Sequence, residues 1–212
     1  MRRTVGLSLG EQAESAVEVL RWGGVVAFPT DTVYGLGASA ILEPALKRIY
    51  QVKRRPFNLA LPLLLADVSD IEKVAATVPR VAWRLASCFL PGGLTLVLHK
   101  AAWVSSIITA GGDTVAVRVP GHPVPRALAR GLGVPIVGTS ANITGQPSPL
   151  TAEEVRRQLG NEVDLIVEGE CPGGMESTVV DVTTDPPVLL REGAISQQQI
   201  EAACGLKMAR QA

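Results

Sequence analysis

VVAFPTDTVYGLG, residues 25–37, compresses a strand, its end and a cluster of polar side chains into one short stretch. The apolar run Val25 to Phe28 predicts a buried strand. It stops at Pro29, which cannot donate to a central ladder, and passes to Thr30, Asp31 and Thr32. The strand therefore delivers two hydroxyls and a carboxylate to its own end. Tyr34, Gly35 and Gly37 follow, and the glycines permit close backbone approach or positive φ. Strand, turn and second element is one reading; a small-molecule site at a strand terminus is the sharper one.

Working outward, 212 residues suffice for a full core and suit a single domain over 1–212. The chain is 47% hydrophobic but only 4% aromatic, so Val, Leu, Ile and Ala must build that core. Twenty basic residues balance twenty acidic ones, which excludes a protein that coats nucleic acid generally and leaves room for a local basic site. Cys88, Cys171 and Cys204 are odd in number and widely spaced, a pattern of neither a disulfide framework nor a zinc site, and a reducing cytoplasm fits. No apolar run approaches the length of a membrane span, and the basic start lacks the apolar core of a signal peptide.

Helical spacing predicts helices over Glu11 to Trp22, stopped by Gly23-Gly24, and over Glu43 to Lys53, with Pro44 in the first turn. The second ends in Lys53-Arg54-Arg55-Pro56, and from Glu43 to Asn58 five basic residues face one acid. Leu59 to Leu65 reads as a buried strand with Pro62 as a warning of an edge or bulge. Helices are predicted over Val68 to Thr77 and Pro79 to Phe89, the latter with Val81, Leu85, Cys88 and Phe89 inward. Strands are predicted at Leu94 to His99, Val115 to Val119, Pro135 to Gly138, Asp164 to Val167, Ser177 to Val182 and Val188 to Leu190. Between them lie a helix at Val124 to Leu132 and two helices opened by capping boxes, Thr151/Glu154 and Ser196/Gln199. Alternating helices and strands give an α/β sheet, and the strand-rich last third predicts mixed pairing.

Neither the Walker nor the dinucleotide glycine signature is present, so a bound nucleotide must be held differently. Gly138-Thr139-Ser140-Ala141-Asn142 lacks the closing glycine of a nucleophile elbow, and of the two histidines His99 lies in a strand and His122 in a turn. A serine hydrolase does not fit. What recurs is small hydroxyls at element ends (Thr30, Thr32, Thr95, Ser140, Ser148, Ser177) with cations at others (Lys53, Arg55, Arg118, Arg191). Such groups suit an anionic ligand, although singly each is explained by turn chemistry or a solvated helix end. Arg118, set among valines, must be paired or at a ligand.

Taken jointly, PTDTVYGLG, K-x-R-P, PGGLT, VRVP-x-H-P, TSAN-x-T-G-x-x-SP, ESTVVD and LREG occur in order from about Gly10 to Ile195. They resemble the YrdC family of threonylcarbamoyl-AMP synthases. The resemblance implies an open, twisted, mixed α/β sheet with helices packed on it and a concave basic cavity. It implies a cytoplasmic enzyme, a nucleotidyltransferase, that joins L-threonine, bicarbonate or CO2 and ATP, with Mg2+, into threonylcarbamoyl-adenylate and pyrophosphate. The product serves the modification of tRNA adenosine 37, which adds tRNA and the threonylcarbamoyl-transfer proteins as partners.

Carried over by motif, Lys53 and Arg55 are the catalytic candidates and bind phosphates, with Thr95, Ser140, Asn142, Ser148 and Arg191 also on the ATP side. Thr30, Thr32, Tyr34, Arg118 and Ser177 fall to threonine, no residue is assigned to a metal, and Arg54 is expected in solvent. Asp31 is left with a turn-stabilising hydrogen bond. Relatives often read Asn-Pro-Leu after K-x-R-P and then a histidine, whereas here Asn58 is displaced by one and Leu59 to Leu64 are apolar. The chain ends soon after LREG, as in short members without an additional C-terminal domain. Two rivals are an RNA-binding module using the basic surface, disfavoured by few aromatics and neutral charge, and a carbamoyl-phosphate enzyme related to hydrogenase-maturation proteins.

Overall fold

The computed structural model describes residues 7–205 and 207–210. Among these residues ten strands form one sheet in the order β10-β9-β8-β4-β5-β3-β6-β2-β1-β7. The strands are β1 (Val26–Phe28), β2 (Gly35–Ser39), β3 (Leu63–Leu64), β4 (Leu94–His99), β5 (Thr114–Arg118), β6 (Ile136–Ser140), β7 (Leu165–Ile166), β8 (Thr178–Asp181), β9 (Val188–Arg191) and β10 (Ala209–Arg210). Pairing is mixed as the sequence predicts: β1/β7, β3/β5, β4/β8 and β9/β10 run parallel, the other neighbours antiparallel. Strand β3 supplies two residues and lies between β5 and β6, pairing with both.

Helices α1 (Leu9–Arg21), α2 (Glu43–Lys53), α3 (Ile71–Val74), α4 (Arg80–Phe89), α5 (Ser106–Thr109), α6 (Pro123–Leu132), α7 (Ala152–Leu159) and α8 (Gln197–Cys204) cover the sheet. Alternation along the strands sorts the core into two clusters. Val26, Phe28, Leu64 and Ile136 pack with α1 and α6, while Ala27, Leu63, Leu65 and Val137 join the larger cluster with the remaining helices. No helix among the described residues is long and apolar enough to cross a membrane.

Most elements fall where the periodicity places them, including both capping boxes. The exceptions have identifiable causes. The apolar run 59–65 yields only β3, because Pro62 brings no N–H and the carbonyls of Leu59 and Ala60 are taken by side chains, Tyr50 and Arg55 on the first and Arg55 on the second. The helix predicted over 68–77 breaks into a 3-10 turn and the short α3. Helix α4 buries Leu85, as expected, together with Ala82 and Ala86, holds Val81 and Phe89 half-buried against the core, and leaves Cys88 exposed, contrary to its inward placement. The short α5 and β10 had no sequence signal.

Gly35 and Gly37 serve close approach, since neither has a positive φ. Both lie on the face carrying Phe28, whose ring crosses them. A Cβ on Gly35 would stand 2.6 Å from Phe28 Cε2, and one on Gly37 would stand 2.7 Å from the Val137 carbonyl oxygen and 2.8 Å from Phe28 Cε1. Each Gly→Ala change is expected to cost about 1–3 kcal/mol in urea denaturation, the usual scale of overpacking. Phe28→Leu should relieve Gly35→Ala much more than Gly37→Ala, because only the latter also meets backbone; equal relief would contradict this packing.

Candidate functional site

Sheet register brings polar side chains to one face. Leu64 is level with Arg118 and Ile136, Gly35 with Ser140, and Val179 with both Thr95 and Arg191. Adjacent partners point the same way, so these residues share the side on which α1 and α6 leave part of the sheet uncovered. There a cavity of about 440 Å³ opens. All twelve site residues read from the sequence line it, those assigned to ATP and those assigned to threonine alike. Its charged lining is Lys53, Arg55, Arg118 and Arg191 against one acid, Glu176.

Helix α2 positions the first two cations. It ends with Arg54 in the left-handed conformation, φ 51°, while the Arg54 and Arg55 N–H groups close the last turn on Gln51 and Tyr50. This turn sends Lys53 and Arg55 to the cavity and leaves Arg54 exposed, as expected. Lys53 is only 1% exposed. Its Nζ donates to the Ser140 carbonyl (2.5 Å), the Asn142 carbonyl (2.7 Å) and Asn142 Oδ1 (3.1 Å), the three acceptors an ammonium requires. Burial, seconded by Arg55 and opposed by Glu176, pulls its pKa down to about 7. Lys53 thus fastens the loop after β6, and its donors are engaged before any ligand arrives.

That loop is self-braced. Asn142 Nδ2 donates to the Ile143 and Gln146 carbonyls, and the Thr144 N–H donates to the Lys53 carbonyl. The cavity-lining hydroxyls of Thr139, Ser140 and Thr144 have no hydrogen bond among the described residues, which leaves them for a ligand. Arg55 donates from Nε to the Leu59 carbonyl and from Nη2 to the Ala60 carbonyl, and Tyr50 stacks on Phe57 with ring centroids 4.6 Å apart.

On the other side, Arg118 is fixed on three sides. Nε donates to the Gly92 carbonyl (2.9 Å), Nη1 to Thr32 Oγ1 (2.8 Å) and Nη2 to Asp31 Oδ1 (2.8 Å). Asp31 is therefore the counter-ion of a buried arginine, more than the turn residue the sequence offered. Proton accounting gives the hydroxyl chain a direction. Thr30 donates to the Val33 carbonyl, so in the 3.0 Å Thr30–Thr32 contact Thr32 must donate, and it accepts from Arg118. What Thr32 retains is a lone pair, suited to an incoming N–H or O–H. Tyr34 reaches the lining, but its hydroxyl donates to the Val167 carbonyl, and burial raises its pKa further above the ordinary phenol value. Its backbone is also engaged, the N–H on the Pro149 carbonyl and the carbonyl on the Ala141 N–H, so the ring is what it offers the cavity.

Thr95 Oγ1 and Ser177 Oγ lie 2.8 Å apart. Arg191 donates from both Nε and Nη2 to the Ser177 carbonyl, while its Nη1 pairs with Glu176, whose other oxygen accepts from Ser148 Oγ at 3.0 Å. Glu176 was missed by sequence reasoning although it opens ESTVVD, because a search for cations and hydroxyls passes over an acid. Pro62 and Leu64 form an apolar wall where relatives are expected to carry a histidine. His122 instead caps α6, accepting the Val124 N–H at Nδ1.

An open mixed sheet with a cavity lined by fixed cations and free hydroxyls has the chemistry that suits small, multiply charged anions. The chain belongs to the Sua5/YciO/YrdC family, described as "Telomere recombination", which matches residues 18–193. It is 46% identical over 196 residues to a threonylcarbamoyl-AMP synthase of Bacillus subtilis, covering 92% of this chain and 57% of that protein. The structure of P. abyssi Sua5 complexed with L-threonine superposes with a TM-score of 0.92 at 42% identity, over 95% of this chain and 59% of the other. E. coli YciO aligns with a TM-score of 0.80 at 33% identity, over 87% of this chain and 90% of its own. The chain spans a little over half the length of the first two.

Proposed function

We propose that this chain makes threonylcarbamoyl-adenylate and pyrophosphate from L-threonine, bicarbonate or CO2 and ATP, supplying the modification of tRNA adenosine 37. The observation that carries the reading is the convergence of all twelve motif residues on one cavity. The relatives' names and the threonine in the P. abyssi structure support it.

In this reading the threonine amine captures CO2 as a carbamate. A carbamate oxygen then attacks the α-phosphorus, forming the new P–O bond as the bond to the β-phosphate breaks and pyrophosphate leaves. The protein's part is alignment and charge neutralisation. Thr32, with a lone pair to offer, takes the amine or hydroxyl of threonine, and the Ser140, Thr139 and Thr144 hydroxyls take phosphate oxygens. Among the described residues no group of three or more His, Cys, Asp or Glu side chains could hold a metal. Glu176 is the only acid on the lining among the described residues, so Mg2+ fits here as an ion carried in on the nucleotide, where it neutralises phosphate charge.

Purified protein is expected to release pyrophosphate from ATP only when threonine and bicarbonate are both present. Equal release without threonine would overturn the assignment. Steeply salt-dependent RNA binding without ATP affinity would favour a non-catalytic RNA-binding module instead.

A further inference from the structure

The cavity contains two arginine–carboxylate pairs that differ in kind. Arg118 and Asp31 form a buried pair, with side-chain exposures of 8% and 22%, tied in addition to Thr32 and Gly92. Arg191 and Glu176 form a half-open pair, at 46% and 37%. Asp31 is absent from the lining, whereas Glu176 sits on it among four cations. An acid at the centre of an anion site opposes the ligand unless it has a task there.

The hydrogen bonds indicate the task. The Glu176 carboxylate uses one oxygen on Arg191 and the other on Ser148, two groups on separate segments, much as a phosphate would. Arg191 does not depend on it, because Nε and Nη2 remain on the Ser177 carbonyl when Nη1 is released. The Glu176 backbone is likewise fixed, its carbonyl accepting the Ala194 N–H, and a Cβ on Gly193 would meet that oxygen at 2.3 Å. Only the side chain is free to leave, and exposed ion pairs are weakly held.

We propose that Glu176 is a displaceable stand-in for a phosphate group. It holds Arg191 and Ser148 itself, yields them to a polyphosphate chain, and so sets a charge threshold that a ligand must exceed to enter. This rests on reading Arg191 and Ser148 as phosphate-binding groups. The threshold makes Glu176 a specificity-determining residue: anions with few charges do not outcompete it, and a triphosphate does.

Calorimetric titration of the full chain with inorganic tripolyphosphate, with EDTA and again with Mg2+, tests this in wild type, Glu176→Gln and Glu176→Ala. Both variants are expected to bind metal-free tripolyphosphate about tenfold tighter than wild type, since a competing charge has been removed. A change that merely loosened the fold would weaken binding, and melting curves identify it. Unchanged or weaker metal-free binding by both variants, or a loss seen only with Mg2+, would overturn the stand-in role and leave the polyphosphate reading intact. Absence of binding by wild type and both variants would overturn that reading and this proposal together.

Discussion

Lys53→Ala is expected to lower ATP-dependent pyrophosphate release by about 100-fold or more, the scale seen when a preorganised charge or donor is removed from a reacting site. The effect has two sources. The substitution removes a buried charge behind the 140–142 loop, and it leaves the Ser140 carbonyl, the Asn142 carbonyl and Asn142 Oδ1 without the donor they share. Buried orphaned acceptors cost about 1–3 kcal/mol each before relaxation, so a stability loss of about 3 kcal/mol should accompany the loss of turnover. Arg55→Ala should impair turnover with little effect on stability, because its partners are exposed carbonyls of the 59–60 turn. Arg54→Ala should leave turnover unchanged. Three variants that behaved alike would reduce the cluster to a generic basic surface. The ammonium also predicts a pH dependence. Burial holds its pKa down at about 7, and a polyphosphate beside it raises that value, so binding takes up a proton and weakens as pH rises above about 7. In Lys53→Ala that component should vanish.

The second large effect is expected at Arg118. Arg118→Ala leaves Asp31 as a poorly solvated carboxylate, deprives Thr32 of its donor and strands the Gly92 carbonyl. Breaking a buried pair from one side costs about 3–5 kcal/mol, which urea denaturation will read directly. The double variant Arg118→Ala/Asp31→Asn should recover part of this, because the unpaired charge is gone. A cost below about 1 kcal/mol for Arg118→Ala would mean that the pair is solvated and does not hold the turn. Threonine affinity should fall in both variants, since Thr32 loses the bond that orients its hydroxyl.

The sequence made the cations and hydroxyls legible because their motifs recur in fixed order. Periodicity placed α2 to the residue, and with it the direction of Lys53 and Arg55. What could not be read was where each donor was already spent. Tyr34 appears in the motif like a ligand-binding group, yet its hydroxyl serves the 167–169 segment, and Lys53 serves the loop before any phosphate. The roles of Asp31 and Glu176 were hidden further because the partner of each is distant in sequence, 87 and 15 residues away, and only the folded sheet joins them. On α4 the pattern finds Leu85, Val81 and Phe89 but passes over Ala82 and Ala86, because alanine carries little weight in a hydrophobic pattern although it allows close packing.

Strand β3, two residues long, has a mechanical meaning. The sheet behaves as two plates welded along a short seam, with Thr95, Arg118, Ser177 and Arg191 riding on one plate and Thr30, Thr32 and Ser140 on the other. Arg118 already ties the two rows together through Asp31 and Thr32, so a ligand that reached both would add a second brace across the two-residue β3.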